Sequence, residues 1–411
     1  MTVDKPQASK TLLSRVRDFL GLRRSIVAML SMVILVGMGE NLAERYLPIY
    51  LMALGGGALA VSFLNGMDNL LSALYSFPGG YLSDRLGYKR ALMVFNLIAI
   101  TGFLLVIFIP TWWAVIAGAV LFLSWSAISL PATMSLVAGV LPNNKRTMGV
   151  SMHSLVRRIP MALGPVIGGL LIAWKGEIVG VRLAFVVAVV LAVIALIFQQ
   201  LFIEDRKSEH AAEPNPLKLF KVMSPAFRKL LVADILIRFS EQIPYAFMAI
   251  WVIKNHGLSP VTFGLLTTIE MVTAMLVYIP VAYLADRGSK KPFVVTTFAF
   301  FTLFPLVLLL ANNIWLFVLA FIIRGLKEFG EPTRKALIMD LAPEGQKAAM
   351  FGLYYLLRDV IVSLAAFSAG WLWNISPQAN FLTAFGFGVI GTLFFAFFGE
   401  DVKIQDKEQM I

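Results

Sequence analysis

Long apolar runs, broken by short polar clusters, recur along the whole chain. A helix needs about 20 apolar residues to cross a bilayer. By that measure the runs predict twelve transmembrane helices, near 25–53, 57–84, 91–110, 112–140, 148–174, 181–202, 230–253, 259–285, 292–312, 314–340, 348–373 and 379–399. The first run is too long, and wrongly flanked, to be a cleaved signal peptide. The longest polar stretch carries Pro214 and Pro216 and divides six spans from six. The expected organisation is an amphipathic segment at 1–24, a six-helix bundle at 25–203, a cytoplasmic linker at 204–229, a second six-helix bundle at 230–399 and a tail at 400–411. The fold class is an all-α membrane protein.

Composition agrees. Apolar residues make up 59% of the 411 and charged residues only 14%. Soluble domains run near ~45–50% and ~25%. No soluble interior could hide that excess. The chain has no cysteine, which excludes disulfide frameworks, thiolate metal centres and cysteine nucleophiles. His153, His210 and His256 are scattered, so neither a histidine metal site nor a cofactor is expected.

The net charge of +11 could suggest a nucleic-acid partner, but its placement argues against one. Lysine and arginine crowd alternate loops, at 5–24, 85–90, 145–146, 206–229, 287–291, 347 and 403–407. The opposite loops hold only Lys175, Arg182 and Lys254. The positive-inside rule then predicts a multi-pass protein of the plasma (bacterial inner) membrane with both termini cytoplasmic. Residues 10–24 are basic and amphipathic, and are expected to lie along the inner membrane surface.

The two halves repeat each other. At an offset of 202, Asp68 falls on Glu270, Pro78 on Pro280 and Asp84-Arg85 on Asp286-Arg287. At an offset of 201, Glu40 falls on Glu241, Pro131 on Pro332, Pro142 on Pro343 and Arg157 on Arg358. Leucine matches would be cheap in so apolar a chain, but matched charges inside spans are not. The two bundles are therefore expected to be pseudo-symmetric, around a site near the bilayer midplane.

A charge at the centre of a span costs about 2.5–3.5 kcal/mol on insertion scales, yet many are present. Span one carries Glu40, Glu44 and Arg45; span two Asp68; span five Arg157 and Arg158; span seven Asp234, Arg238 and Glu241. Span eight carries Glu270; span ten Arg324, Lys327, Glu328, Glu331, Arg334 and Lys335; span eleven Arg358 and Asp359. Such groups must face a wet cavity or one another. Glu40, Asp68, Glu241 and Glu270 are the natural proton carriers, because burial favours the neutral form of a carboxyl. Glu44, Arg157, Arg158, Arg238, Arg324, Glu328 and Arg358 are candidates for a substrate cavity.

Local pairing is the competing reading. Arg324–Glu328, Lys327–Glu331 and Glu331–Lys335 are all spaced i, i+4. Arg358 and Asp359 are adjacent, so they should point about 100° apart and pair poorly. Arg157 and Arg358, at equivalent depths in the two repeats, are expected to face the cavity as a basic pair. Trp112, Trp113, Trp174, Trp315 and Trp373 sit at span ends and read as interfacial belts.

Between spans two and three, Gly80, Asp84, Arg85, Gly87, Lys89 and Arg90 stand at the spacing G-x-x-x-D-R-x-G-x-K-R. This resembles the signature loop of the major facilitator superfamily, with Tyr88 where a basic residue is usual. Asp286 and Arg287 stand in a degenerate second copy, followed by Lys290 and Lys291. The resemblance implies that the loop gates the cytoplasmic side, with Asp84 at a span end meeting a helix N-terminus or a basic partner, and Gly80 and Gly87 turning the chain. It also implies that spans one, four, seven and ten line the cavity most directly. In span five, Gly164, Pro165, Gly168 and Gly169 are similar to the core of a motif of the family's antiporters, and small residues at this spacing also suit helix packing. The arginine usual in span four of drug antiporters is absent; Leu123 stands opposite Arg324.

The expectation is a secondary active transporter working by alternating access as a monomer. Its partners would be a small amphiphilic or organic-anion solute, protons and the bilayer. Proton-coupled export leads; proton-coupled uptake, a lipid or lysolipid flippase and a transport-dead sensor are the alternatives. No phosphate-binding P-loop or catalytic constellation is present, so neither ATP-driven transport nor an enzyme is expected.

Overall fold

The computed structural model describes residues 24–123, 143–203, 223–285, 289–342 and 347–401, with single positions at 125, 129, 133 and 136. Within these, the side chains of 24, 76–85, 88, 143–152, 154–155, 278–285 and 347–349 fall outside the description, His153 excepted. The described residues form helices without strands. This is what a bilayer dictates, because a helix satisfies its backbone polar groups internally.

The N-terminal half contains α1 (Arg24–Glu44), α2 (Leu47–Ala53), α3 (Gly57–Leu86), α4 (Tyr88–Phe108), α5 (Trp112–Phe122), α6 (Asn143–Lys175) and α7 (Glu177–Phe202). The C-terminal half contains α8 (Pro225–Tyr245), α9 (Met248–Ile250) running into a π turn (Trp251–Asn255), and α10 (Pro260–Ala285). It continues with α11 (Lys291–Leu310), α12 (Ile314–Leu326), α13 (Glu331–Leu341), α14 (Lys347–Ile375) and α15 (Pro377–Phe398). Eight helices among the described residues are long and apolar enough to cross a membrane. Spans two, four, seven and ten are not among them. In span two, Asn65, Asp68 and Asn69 interrupt the apolar run of α3. Span seven carries three charges in α8 and then breaks. Span ten is broken between α12 and α13, and most of span four beyond α5 lies outside the described residues.

The breaks have a local cause. Span one divides at Arg45–Tyr46 because Pro48, within the first turn of α2, cannot donate a backbone hydrogen bond and clashes with the carbonyl of Glu44. Gly330 and Pro332 break span ten in the same way. Span seven breaks at Ala246–Phe247, 201 residues beyond the first break, so the repeat extends to the discontinuities. Irregular backbone at membrane depth is tolerated where protein or a cavity satisfies it.

The halves pack through two seams, α6 on α10 and α3 on α14. Loops 54–56, 109–111, 256–259, 311–313 and residue 376 share the face opposite the start of α1 and the end of α15. Near that far face, Tyr46 Oη donates to the carbonyls of Pro165 (2.6 Å) and Pro260 (2.8 Å), tying spans one, five and eight together. Lys254 pairs with Glu177 across the halves. Near the face where α1 starts and α15 ends, the described pairs Lys89–Gln200, Lys229–Glu400 and Lys290–Asp340 each stay within one half.

Gly164 and Gly168 of span five lie against Asn41 and Leu42 of α1, and Gly169 against Pro260 and Tyr46. A methyl group at Gly168 would fall on the Leu42 carbonyl. Gly168→Ala should therefore lower stability by about 1–3 kcal/mol through overpacking. Thermal unfolding in detergent checks this, with Gly352→Ala, whose added carbon meets nothing within 4 Å, as the unaffected control.

Four of the five belt tryptophans are exposed: Trp112, Trp113, Trp174 and Trp315. Trp373 is the correction. It stacks on Phe247 with ring centroids 4.5 Å apart, and Trp371 is the exposed residue of that pair. The break after α8 supplies the partner ring, Phe247, that draws Trp373 inward.

Candidate functional site: a cavity with unpaired charges

A cavity of about 230 Å³ lies within the N-terminal half. Spans one, two, four and five supply its wall, including Glu40, Asn41, Glu44, Arg45, Asp68, Trp125, His153 and Arg157. Among the described residues, Tyr245, at the end of α8, is the one from the C-terminal half that lines it. A smaller chamber of about 50 Å³ adjoins it and shares Glu44, Arg45, Asp68, Leu123 and Tyr245. The break after Glu44 ends α1 at this wall.

The charges here are not tied up. Among the described residues, Glu44, Arg45, Asp68 and Arg157 make no salt bridge within 4 Å, with one another or with anything else. Arg45 places its guanidinium 5.3 Å from the Tyr245 ring centroid, and its buried Nε has no hydrogen-bond partner. Glu40 is buried against this wall and has an interaction of its own.

The C-terminal half is the opposite. Glu270 accepts from Arg324 Nε at 2.7 Å, and Glu241 from Lys327 Nζ at 2.7 Å and Arg238 Nη1 at 2.6 Å. Glu331 takes two hydrogen bonds from Arg334, at 3.0 and 2.6 Å, and a third from Arg238. Asp234 pairs with Arg334, accepts from Tyr354 Oη at 2.9 Å and lies 3.5 Å from Arg358. These acids and bases form one closed network across spans seven, eight, ten and eleven.

Several expected pairings are thereby corrected. Arg324–Glu328 and Lys327–Glu331 do not pair, because the break between α12 and α13 removes the helical register on which i, i+4 spacing depends. Glu328 instead meets Arg158 of the other half at 3.0 Å. Of the three spacings only Glu331–Lys335 survives, at 3.6 Å. Arg358 does pair with its neighbour, Nε to Asp359 Oδ1 at 2.7 Å, since the long side chain curls back over the Tyr355 ring. The pair Arg157–Arg358 also separates: Arg157 lines the cavity and Arg358 is held in the network, as are Arg238 and Arg324. Of the four acids singled out as proton carriers, Glu40 and Asp68 line the cavity, whereas Glu241 and Glu270 hold cations.

The model of the Major Facilitator Superfamily matches residues 29–237 and again 230–409. The chain belongs to the major facilitator superfamily. It is an integral membrane transporter of that family. A relative from Methanocaldococcus jannaschii, an uncharacterised MFS-type transporter (MJ1317), is 22% identical over 379 residues, covering 88% of this chain and 91% of that one. Among solved structures, a mutant of the nucleoside transporter NupG superposes with a TM-score of 0.80 at 12% identity, covering 91% of this chain and 99% of the other. A peptide transporter, POT, in complex with sulfate gives 0.75 at 16% identity, covering 92% and 94%. At such identities the likeness is one of fold.

Within this superfamily member, the signature loop is partly described. Gly87 has φ +81° at the N-terminus of α4, a conformation that favours glycine. Gly80 lies inside α3 and does not turn the chain, a correction to its expected role. Lys89 donates to the Gln200 carbonyl at 2.9 Å, near the end of α7, and Arg90 is exposed. The side chains of Asp84 and Arg85, and all of Asp286 and Arg287, lie outside the described residues.

Sequence reasoning passed over Arg45 and Tyr245 as site residues, and missed a buried amide chain. Trp125 Nε1 donates to Asn96 at 2.8 Å, Asn96 to Gln199 at 2.8 Å, and Gln199 to the Lys89 carbonyl at 2.7 Å. It links the cavity wall to the signature loop. Uncharged amides inside apolar runs were the available signal.

Proposed function

We propose that this transporter moves a small ionised organic solute by alternating access, as a monomer, in exchange for protons. The observation that carries the reading is the contrast between halves: unpaired Arg45, Arg157, Glu44 and Asp68 around a cavity, against a closed ion network opposite. Ionisable groups inside a membrane are expensive and mark substrate or ion pathways. Arginine forks suit a carboxylate or phosphate, so Arg45 and Arg157 grip the solute's anionic group. Asp68 can take up a proton without breaking an ion pair, whereas Glu241 and Glu270 cannot. The network makes the C-terminal half a stiff body against which the cavity-bearing half rocks. Contacts across the far face support a state that opens on the opposite side, and the loop charges favour that side as the cytoplasmic one. The span-five motif supports export over uptake.

The test is reconstitution into liposomes loaded with a pH-sensitive dye, with ionised organic solutes added one at a time. Exchange predicts that solute and proton move in opposite directions. Movement in the same direction would establish uptake by symport, and no proton movement during solute flux would refute coupling.

A further inference from the structure

The unpaired cavity residues are of both signs. Two arginines and three acids line one cavity; Glu40 has an interaction of its own, and no salt bridge within 4 Å joins Arg45, Arg157, Glu44 and Asp68. Opposite charges in a site of restricted water attract strongly. Held apart, they leave room for a ligand that completes both. A solute of one sign would satisfy the arginines or the acids and leave the other pair uncompensated. A zwitterion satisfies both and adds no net charge.

Size and lining narrow this further. The main cavity has a volume of about 230 Å³. The adjoining chamber of about 50 Å³ opens from the same charged residues but is walled by Leu47, Pro48, Val61, Leu64, Met248 and Phe263. A charged head would sit beside a short apolar pocket.

We infer that the substrate is a small zwitterion with a short apolar substituent, on the scale of an apolar amino acid. Its carboxylate lies on Arg45 and Arg157, its ammonium on Glu44 and Asp68, and its apolar group in the second chamber. The inference rests on the transporter reading above and narrows its substrate. Proton and ammonium then compete for the same carboxylates, which is the condition for exchange.

The test is binding to the purified protein in lipid nanodiscs, using matched triplets. Valine, leucine, isoleucine, methionine and phenylalanine are each compared with the amine lacking the carboxylate and the acid lacking the ammonium. At least one amino acid should bind about 10–100-fold more tightly than both of its partners, the range for one charge-assisted contact. It should also bind more tightly than glycine, which has no apolar group. Arg157→Gln, which leaves Arg45 in place, should reduce its affinity towards that of the amine without changing the amine's own. If no amino acid outbinds its partners, whether all bind equally or none binds, the inference falls. Liposome flux of the single-charge partners separates the two readings: flux of an amine or acid without any amino acid refutes the zwitterion and leaves the transporter standing.

Discussion

Arg334→Met should be the most destabilising single substitution in the C-terminal half. Arg334 is 1% exposed and bridges Glu331, through two hydrogen bonds, to Asp234. Removing one partner of a buried ion pair strands the other, at about 3–5 kcal/mol. Arg238 and Arg358 remain beside the two acids but hold other carboxylates as well, so they compensate only in part. Thermal unfolding in detergent should show a large fall in midpoint, and Asp234→Asn in the same chain should recover part of it. Lys229→Met, which breaks a half-exposed pair with Glu400, should cost about 1 kcal/mol or less. Equal effects of the two substitutions would contradict the closed network.

Asp68→Asn should have the largest effect on transport. Asp68 makes no salt bridge among the described residues and lines both chambers. The amide keeps its shape but cannot exchange a proton. Proton-driven solute movement should fall by at least about tenfold, the equivalent of ~1.4 kcal/mol, while solute exchange without a gradient, for which Glu44 still holds the ammonium, falls less. Glu270→Gln should do the reverse. It removes the carboxylate facing Arg324, 2% exposed, so stability falls first. Gradient-driven and exchange fluxes measured on both variants, alongside their unfolding midpoints, check the pair.

The sequence carried the fold because its signals were large. Apolar runs of span length, matched charges at a fixed offset and the spacing from Gly80 to Arg90 each have few other causes. The intramembrane charges were legible one by one, but their partners were not. Helical spacing assigns Arg324 to Glu328, whereas in the structure it pairs with Glu270 in another span. Helical periodicity knows only its own helix, and it fails where Gly330 and Pro332 interrupt that helix. The repeat misled in a comparable way. It equated Arg157 with Arg358, although Asp234 is present beside Arg358 and no acid of span seven's kind stands at the equivalent place, Val33, beside Arg157. Tyr245 gave no sign, because an aromatic residue near a span end is ordinary until the chain breaks after it.

Arg157 and Arg358 therefore offer the most direct measurement, since they share a repeat position and differ in surroundings. Each is replaced by glutamine, and substrate affinity and unfolding midpoint are measured on the folded protein. Arg157→Gln should lose about tenfold or more in affinity with little change in midpoint, whereas Arg358→Gln should lose stability and keep its affinity. The opposite outcome, with affinity lost at Arg358 and stability lost at Arg157, would place the transport site in the C-terminal half and contradict a substrate cavity built on the unpaired charges of the N-terminal half.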